Sequence, residues 1–419
     1  MVGSGQMLAE LSLHRWEHKM AALIAYTLAC AAWLRLTTRR PGLGAKLTAT
    51  APVLILNAIA PLLFHRYSEP VTLAFSVFLL TWLGSFKAVA AAGSRGPLAQ
   101  QPWSLLQFWV LYLLPIVPAA PPSASGGPRR RPRKQHHESP GTGAQMFARW
   151  LLKAGVTAAV VFTLLLPDLP PFAKSCLYVV GLYTMLGVVM DGPAALVLAP
   201  LQLALAPHFL PPWESRSLAD FWGLHWNQAA SNALRTTIYD PIAQGSLVDQ
   251  SKAQHPAGAD HGRGSGGSAQ RRHSARLATA TAASAAAASV AADVRGGEGR
   301  RLLGMTASFF ASGAVHELIF WYVEGSTTRG LAWLWFFTGQ VPLILAERVI
   351  MARLKQQGAA PPELLRIALT LGVLLVSAHW LFFLPAEAAG VPARFAESMR
   401  QSFAALAAAP AGLLAAAGM

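Results

Sequence analysis

Two stretches of this 419-residue chain set polar, chemistry-bearing side chains where their surroundings do not favour them. The first is 303–323, LGMTASFFASGAVHELIFWYV, in which His316 and Glu317 stand side by side among apolar and small residues. An ionisable group inside such a run costs about 2.5–3.5 kcal/mol or more, and usually faces a cavity or a polar partner. On a helix Ser308, Ser312 and His316 share one face, with Gly313 three residues before the histidine, while Glu317 points about 100° away. A neutral imidazole, with an ordinary pKa of about 6.5, can take a proton from a hydroxyl and return it, a role worth about 10²–10⁴-fold in rate. The plainer reading is that both residues pair with neighbouring helices, Glu317 with an Arg or His, or lie at the membrane interface.

The second stretch is Ser217–Tyr239, SLADFWGLHWNQAASNALRTTIY. Asp220, His225, Asn227, Gln228, Asn232 and Arg235 make it too polar to span a bilayer. Phe221, Trp222, Trp226 and Tyr239 make it too aromatic for a loose loop. Ser217 three residues before Asp220 marks a capping-box-like helix start. Helical spacing places Gly223, Trp226, Asn227 and Ser231 on one stripe and stacks Trp222 on Trp226 at i and i+4. An interfacial helix with its tryptophans at headgroup level is the alternative.

The rest of the chain has to position these groups, and its composition says how. It is 53% hydrophobic and only 13% charged, against about 25% charged in soluble domains; its mean hydropathy is +0.39. Bilayer is the solvent that suits such a surface. The net charge of +15 does not point to nucleic acid, because much of it lies in polar loops such as Arg129, Arg130, Arg131, Arg133 and Lys134, as retention of loops on the cytoplasmic side produces. Cys30 and Cys176 both lie in apolar segments and define neither a disulfide framework nor a metal site.

A crossing helix needs about 20 residues. Runs of that kind read as Met20–Leu36, Lys46–Phe64, Pro70–Ala92, Trp103–Pro118, Trp150–Pro167, Ala173–Met190, Ala194–Leu210, Leu303–Val323, Leu331–Met351 and Leu365–Pro385, with Ser402–Gly418 either a further span or an interfacial helix. The first is expected to be an uncleaved helix. The basic loops at Arg39–Lys46 and Arg129–Lys134 should share the cytoplasmic side, yet three crossings would separate them. The shortest run, Trp103–Pro118, is therefore expected to be re-entrant or interfacial, which hints at an internal cavity. Ala119–Gln145 and Gln244–Arg300 are low-complexity and read as disordered loops. The fold class is thus all-α: one membrane-embedded domain, 1–419, built as a polytopic bundle of about 8–10 spans, with no internal repeat of the transporter kind.

With these residues in view, DFWG, HWN and LRTTIYDP resemble the signature of the plant-type wax synthases, members of the membrane-bound O-acyltransferase (MBOAT) superfamily. SGAVHELIFWYVEG resembles the same family's block around its active-site histidine. FLLTWLGSFKAVAAAGSRGPL, at Phe78–Leu98, is similar to its W-x-x-x-F-K element and GPL turn. Two departures stand out: Leu224 and His225 replace the two arginines usual between FWG and WN, and the loop at 244–300 is unusually long.

The resemblance implies an MBOAT-type bundle with an internal reaction chamber, transferring a fatty acyl group from acyl-CoA to a long-chain alcohol. Sterol or diacylglycerol acceptors are the alternatives within that chemistry, and a transporter with a His–Glu relay is the alternative outside it. It implies His316 as catalytic base and Asn227 as its polar partner, orienting the imidazole or donating to the oxyanion. Asp220, Trp222, Trp226, Arg235, Ser312 and Glu317 are the expected substrate-binding residues, Arg235 and His225 being candidates for the CoA phosphates. Acyl-CoA is a co-substrate, and neither cofactor nor metal is expected. Membrane lipids and a lipid alcohol are the expected partners, with the endoplasmic reticulum membrane as the site of action.

Overall fold

A computed structural model describes residues 3–119, 143–249 and 275–416 of the chain. Helix is the natural outcome for apolar sequence in lipid, because it satisfies every backbone polar group within the segment. The described residues form helices α1 (Gly3–Thr37), α2 (Leu43–Ile59), α3 (Pro70–Ser76) and α4 (Ser85–Ala92), the last two joined through a π-helical stretch at Val77–Gly84. A short α5 (Leu105–Leu113) follows, then the hairpin of α6 (Gly143–Leu164) and α7 (Pro171–Leu201). Three short helices come next: α8 (Leu218–Asp220), α9 (Gln228–Leu234) and α10 (Asp240–Gln244). The C-terminal part holds α11 (Ala275–Glu324), α12 (Ala332–Thr338), α13 (Gln340–Gln356), α14 (Glu363–Ala378), α15 (Leu384–Ala388) and α16 (Val391–Ala416).

Among the described residues, eight helical segments are long and apolar enough to cross a membrane: Trp16–Thr37, Leu43–Leu63, Pro70–Ala99, Gln145–Leu164, Pro171–Leu196, Gly297–Glu324, Arg329–Gln356 and Glu363–Ala388. The chain is an all-α multi-pass membrane protein.

The structure bears on the sequence reading at three places, correcting the first and the last. Ala173–Met190 and Ala194–Leu210 are not two spans, since α7 continues to Leu201 with Pro193 and Pro200 inside it. Close packing on α6 supports this helix: a Cβ on Gly192 would sit 2.5 Å from the Trp150 indole nitrogen, and that indole donates to the Val188 carbonyl at 3.0 Å. Small residues let helices approach in this way. Trp103–Pro118 holds only the nine-residue α5, too short to cross at about 1.5 Å per residue. Two candidate crossings, Leu43–Leu63 and Pro70–Ala99, then remain after Arg39 and Arg40 and return the chain to their side before α5. Third, α11 begins at Ala275, so the end of the expected 244–300 loop is helical; its alanine-rich sequence has the highest helix propensity. Residues 120–142, most of the first expected disordered loop, and 250–274, less than half of the second, lie outside the described residues.

Two basic residues of the Phe78–Leu98 block pin the short elements. The Lys87 ammonium, buried at 2% exposure, donates to the carbonyls of Leu111 at 2.7 Å and Leu114 at 2.5 Å. It thereby occupies carbonyls at the end of α5 that no helical N–H reaches. The Arg95 guanidinium donates to the carbonyls of Ser246, Leu247 and Val248 and to Gln244 Oε1. That ties the end of α4 to the segment after α10.

Candidate active site

Where these elements meet, they enclose a cavity of about 720 Å³ whose wall is almost wholly apolar. Trp82 comes from the π-helical stretch, Trp226 and Asn227 from the segment before α9, His316 from α11, Phe337 from α12 and Phe382 from the π turn after α14. Such a shape suits an apolar ligand positioned by a few polar groups.

His316 is the polar centre of this wall. Its Nδ1 lies 2.7 Å from the Ser312 carbonyl one turn back on α11. A carbonyl only accepts, so Nδ1 carries the proton and Nε2 keeps its lone pair. The ring stacks on Phe337, centroids 4.1 Å apart at 28°, and meets the edges of Trp82 at 5.2 Å and Phe382 at 6.0 Å. Close approach of α11 and α12 makes this stacking possible: a Cβ on Gly313 would lie 2.8 Å from Leu334 Cα. The imidazole is held in one tautomer and one orientation, with its basic nitrogen uncommitted.

Asn227 lines the same cavity and is buried. It adopts left-handed backbone (φ 39°) and caps α9, its Oδ1 accepting from the Ala230 N–H at 3.1 Å. Asparagine is among the few residues that enter this region readily. With the oxygen spent on the cap, the side chain can offer the cavity only its Nδ2 donor, which makes no hydrogen bond among the described residues.

Trp222, Trp226 and Ser312 also line the cavity, Trp222 fixed by donation from its indole to Gln340 Oε1 at 3.2 Å. The expected Trp222–Trp226 stack does not form: Trp226 stacks on Phe221 at 5.5 Å and 17°. The helix turns π-helical over Phe221–His225 and Trp226 is extended, which breaks the i, i+4 register and the expected stripe through Gly223 and Ser231. Ser217 does cap the segment, accepting from the Asp220 N–H at 3.0 Å.

Asp220, Arg235 and Glu317 are not among the residues lining the cavity. Asp220 Oδ2 accepts from the Arg216 N–H at 3.1 Å and lies 3.6 Å from His225 Nε2. His225 Nδ1 in turn lies 2.6 Å from the Pro211 carbonyl. Arg235 points outward, 69% exposed, with Nε 3.4 Å from Asp240 Oδ1. Glu317 is a correction, because its partners are hydrogen-bond donors of the chain itself and not a cation. Buried at 5% exposure, its carboxylate accepts from the Thr328 N–H (2.8 Å), the Thr328 hydroxyl (2.5 Å), the Trp333 N–H (3.0 Å) and the Leu334 N–H (3.2 Å). These amides open α12 or precede it, and an anion at a helix start is stabilised by unpaired N–H groups and by the helix dipole.

One cluster escaped the sequence reading. Lys153 on α6 pairs with Asp191 on α7 at 2.5 Å, and His208 Nδ1 lies 2.8 Å from the other Asp191 oxygen. A lysine inside one apolar run and an aspartate at the end of the next were the available signal.

No family model matches the chain. It is 27% identical over 345 residues, 81% of the chain and 80% of the relative, to "Putative long-chain-alcohol O-fatty-acyltransferase 10" of Arabidopsis thaliana. A long-chain-alcohol O-fatty-acyltransferase of Simmondsia chinensis is 31% identical over 199 residues, 47% of the chain and 53% of the relative. An acyl-CoA–sterol O-acyltransferase of Arabidopsis thaliana is 26% identical over 341 residues, 79% of each.

Proposed function

We propose that the chain, similar over about four-fifths of its length to proteins named as long-chain-alcohol O-fatty-acyltransferases, transfers a fatty acyl group from acyl-CoA to a long-chain alcohol and so forms a wax ester. The observation that carries this reading is His316, pinned through Nδ1 in an apolar cavity of about 720 Å³ with Nε2 left as a base. The alcohol oxygen attacks the thioester carbonyl carbon while its proton passes to Nε2. Negative charge grows on the carbonyl oxygen, and the Asn227 Nδ2–H donates to it. Collapse breaks the C–S bond, and the departing CoA thiolate recovers the proton from the imidazolium. Direct transfer needs no acyl-enzyme and no group beyond the two substrates.

Solubility sets the approach of each substrate. The alcohol dissolves in lipid and the CoA head in water, so a chamber inside the bundle lets the two meet. Exposed Arg235, next to α9, is proposed to meet the CoA phosphates through charge-assisted hydrogen bonds. The endoplasmic reticulum membrane is the proposed location, since acyl-CoA and neutral-lipid alcohols converge there. A sterol acceptor is the second reading, motivated by the sterol-acylating relative. A His–Glu relay finds no support in the geometry, as four donors from the chain immobilise Glu317.

The test is ester formation from labelled acyl-CoA in microsomes carrying the protein, with fatty alcohol, sterol and diacylglycerol in competition. His316→Ala should abolish the ester while membrane insertion persists, and full activity in that variant would remove the proposal. Asn227→Ala should be severely impaired.

A further inference from the structure

Six side-chain polar atoms are buried without a hydrogen-bond partner in the described structure, on Trp82, His208, Gln228, Arg366, Glu387 and Arg394. Only Trp82 among these lines the cavity. Its indole is 3% exposed, and its N–H finds no acceptor in the protein. The contrast with two other cavity tryptophans is direct: the Trp222 indole donates to Gln340 Oε1 and the Trp333 indole to the Phe382 carbonyl at 2.7 Å. A buried donor without an acceptor is costly and calls for an explanation.

Position supplies one. The Trp82 and His316 rings meet edge to face, centroids 5.2 Å apart at 68°, so the indole borders the space where a base on Nε2 would act. Trp82 also lies within the π-helical stretch Val77–Gly84, a backbone form concentrated at functional sites. Phe78 packs against its ring at 5.4 Å and helps hold it there. Lys87 and Arg95, the basic members of the Phe78–Leu98 block, are already occupied with the end of α5 and with the segment after α10. Trp82 is what that block has left for chemistry.

We infer that the Trp82 indole N–H is a second oxyanion donor, accepting none of the bond changes itself but donating a hydrogen bond to the thioester carbonyl oxygen as negative charge collects there. This deepens the proposed acyl transfer and rests on it. Asn227 supplies an amide donor from the segment before α9, and Trp82 supplies an indole donor from the π-helical stretch, so the oxygen is held from two elements. A donor aimed at developing charge in an apolar cavity acts on the transition state more than on the bound thioester.

Trp82→Phe keeps an aromatic ring against His316 and removes the N–H. Purified in lipid nanodiscs, this variant should show kcat lowered about 10²-fold with KM for acyl-CoA and alcohol little changed. Because phenylalanine is smaller than tryptophan, a second variant carries β-(3-benzothienyl)alanine at position 82, in which sulfur replaces the N–H in a ring of the same shape. The same loss of kcat in both variants supports the inference. Wild-type kcat in the benzothienyl variant overturns it whatever Trp82→Phe does, because the ring alone then suffices. A rise in KM at constant kcat also overturns it, by placing the contact in the ground state. Failure of the unsubstituted protein to form any ester would instead overturn the acyl-transfer reading.

Discussion

Replacing Glu317 with glutamine separates a residue that holds the site from one that touches substrate. The carboxylate accepts four hydrogen bonds, three of them from backbone N–H groups of Thr328, Trp333 and Leu334. Glutamine keeps one acceptor oxygen for the three donors on Oε1, but turns an NH₂ toward the Thr328 N–H now 2.8 Å from Oε2. One bond to a charged group, worth about 1.5–3 kcal/mol, is lost, and a buried N–H is left unpaired at about 1–3 kcal/mol. The sum is about 2.5–6 kcal/mol, and Glu317→Ala, which strands every donor, costs more. Thermal unfolding followed by tryptophan fluorescence, with Michaelis kinetics on the folded fraction, reads both consequences. The melting temperature should fall by several degrees while KM for acyl-CoA and for the alcohol stays at the wild-type value. An unchanged melting temperature with a raised KM would refute the reasoning, because Glu317 would then face the substrate. Thr328→Val removes the hydroxyl that donates to Glu317 at 2.5 Å and accepts a longer bond from the Trp333 N–H at 3.3 Å, and should cost about 1 kcal/mol.

The remaining predictions probe other contacts. Gly313→Ala places a methyl 2.8 Å from Leu334 Cα, so α12 must move off α11 and carry Phe337 from His316; a loss of about 1–3 kcal/mol in unfolding and a lowered kcat should appear together. Arg235→Ala should leave unfolding within about 0.5 kcal/mol of wild type, as an exposed and screened pair contributes little, yet raise KM for acyl-CoA roughly tenfold, about 1.4 kcal/mol; an unchanged KM removes Arg235 from the donor site. Lys153→Met leaves Asp191 with His208 alone and should destabilise by about 3–5 kcal/mol, seen in thermal unfolding, while Lys153→Met with Asp191→Asn recovers part of that loss.

How much of this was legible in the sequence depends on the range of the forces involved. Spans were legible because hydropathy is a sum over about 20 residues, and single errors average out. Charge parity even singled out Trp103–Pro118 as the segment that does not cross. Places that failed were decided by local packing. Pro193 and Pro200 read as breaks, but α7 lies so closely on α6 at Gly192 and Trp150 that the helix runs through them. The π turns at Val77–Gly84 and Phe221–His225 are invisible to a 3.6-residue template, and the second of them undid the expected Trp222–Trp226 stack.

At the site, His316 and Glu317 carried the same sequence signal, two ionisable neighbours in an apolar run, and the structure gives them opposite duties. A rotation of about 100° on α11 sends the imidazole into the cavity and the carboxylate toward the start of α12. Residue type could not separate them, because a carboxylate beside a base reads equally well as a relay, an orienting group or a cap. Only the four donors around Glu317 decide among these, and they come from residues 11 to 17 positions later, beyond the turn that follows α11. The cap nevertheless serves the base. It fixes the first turn of the helix whose Phe337 lies 4.1 Å from His316, so the orientation of the imidazole depends on a carboxylate that never meets the cavity.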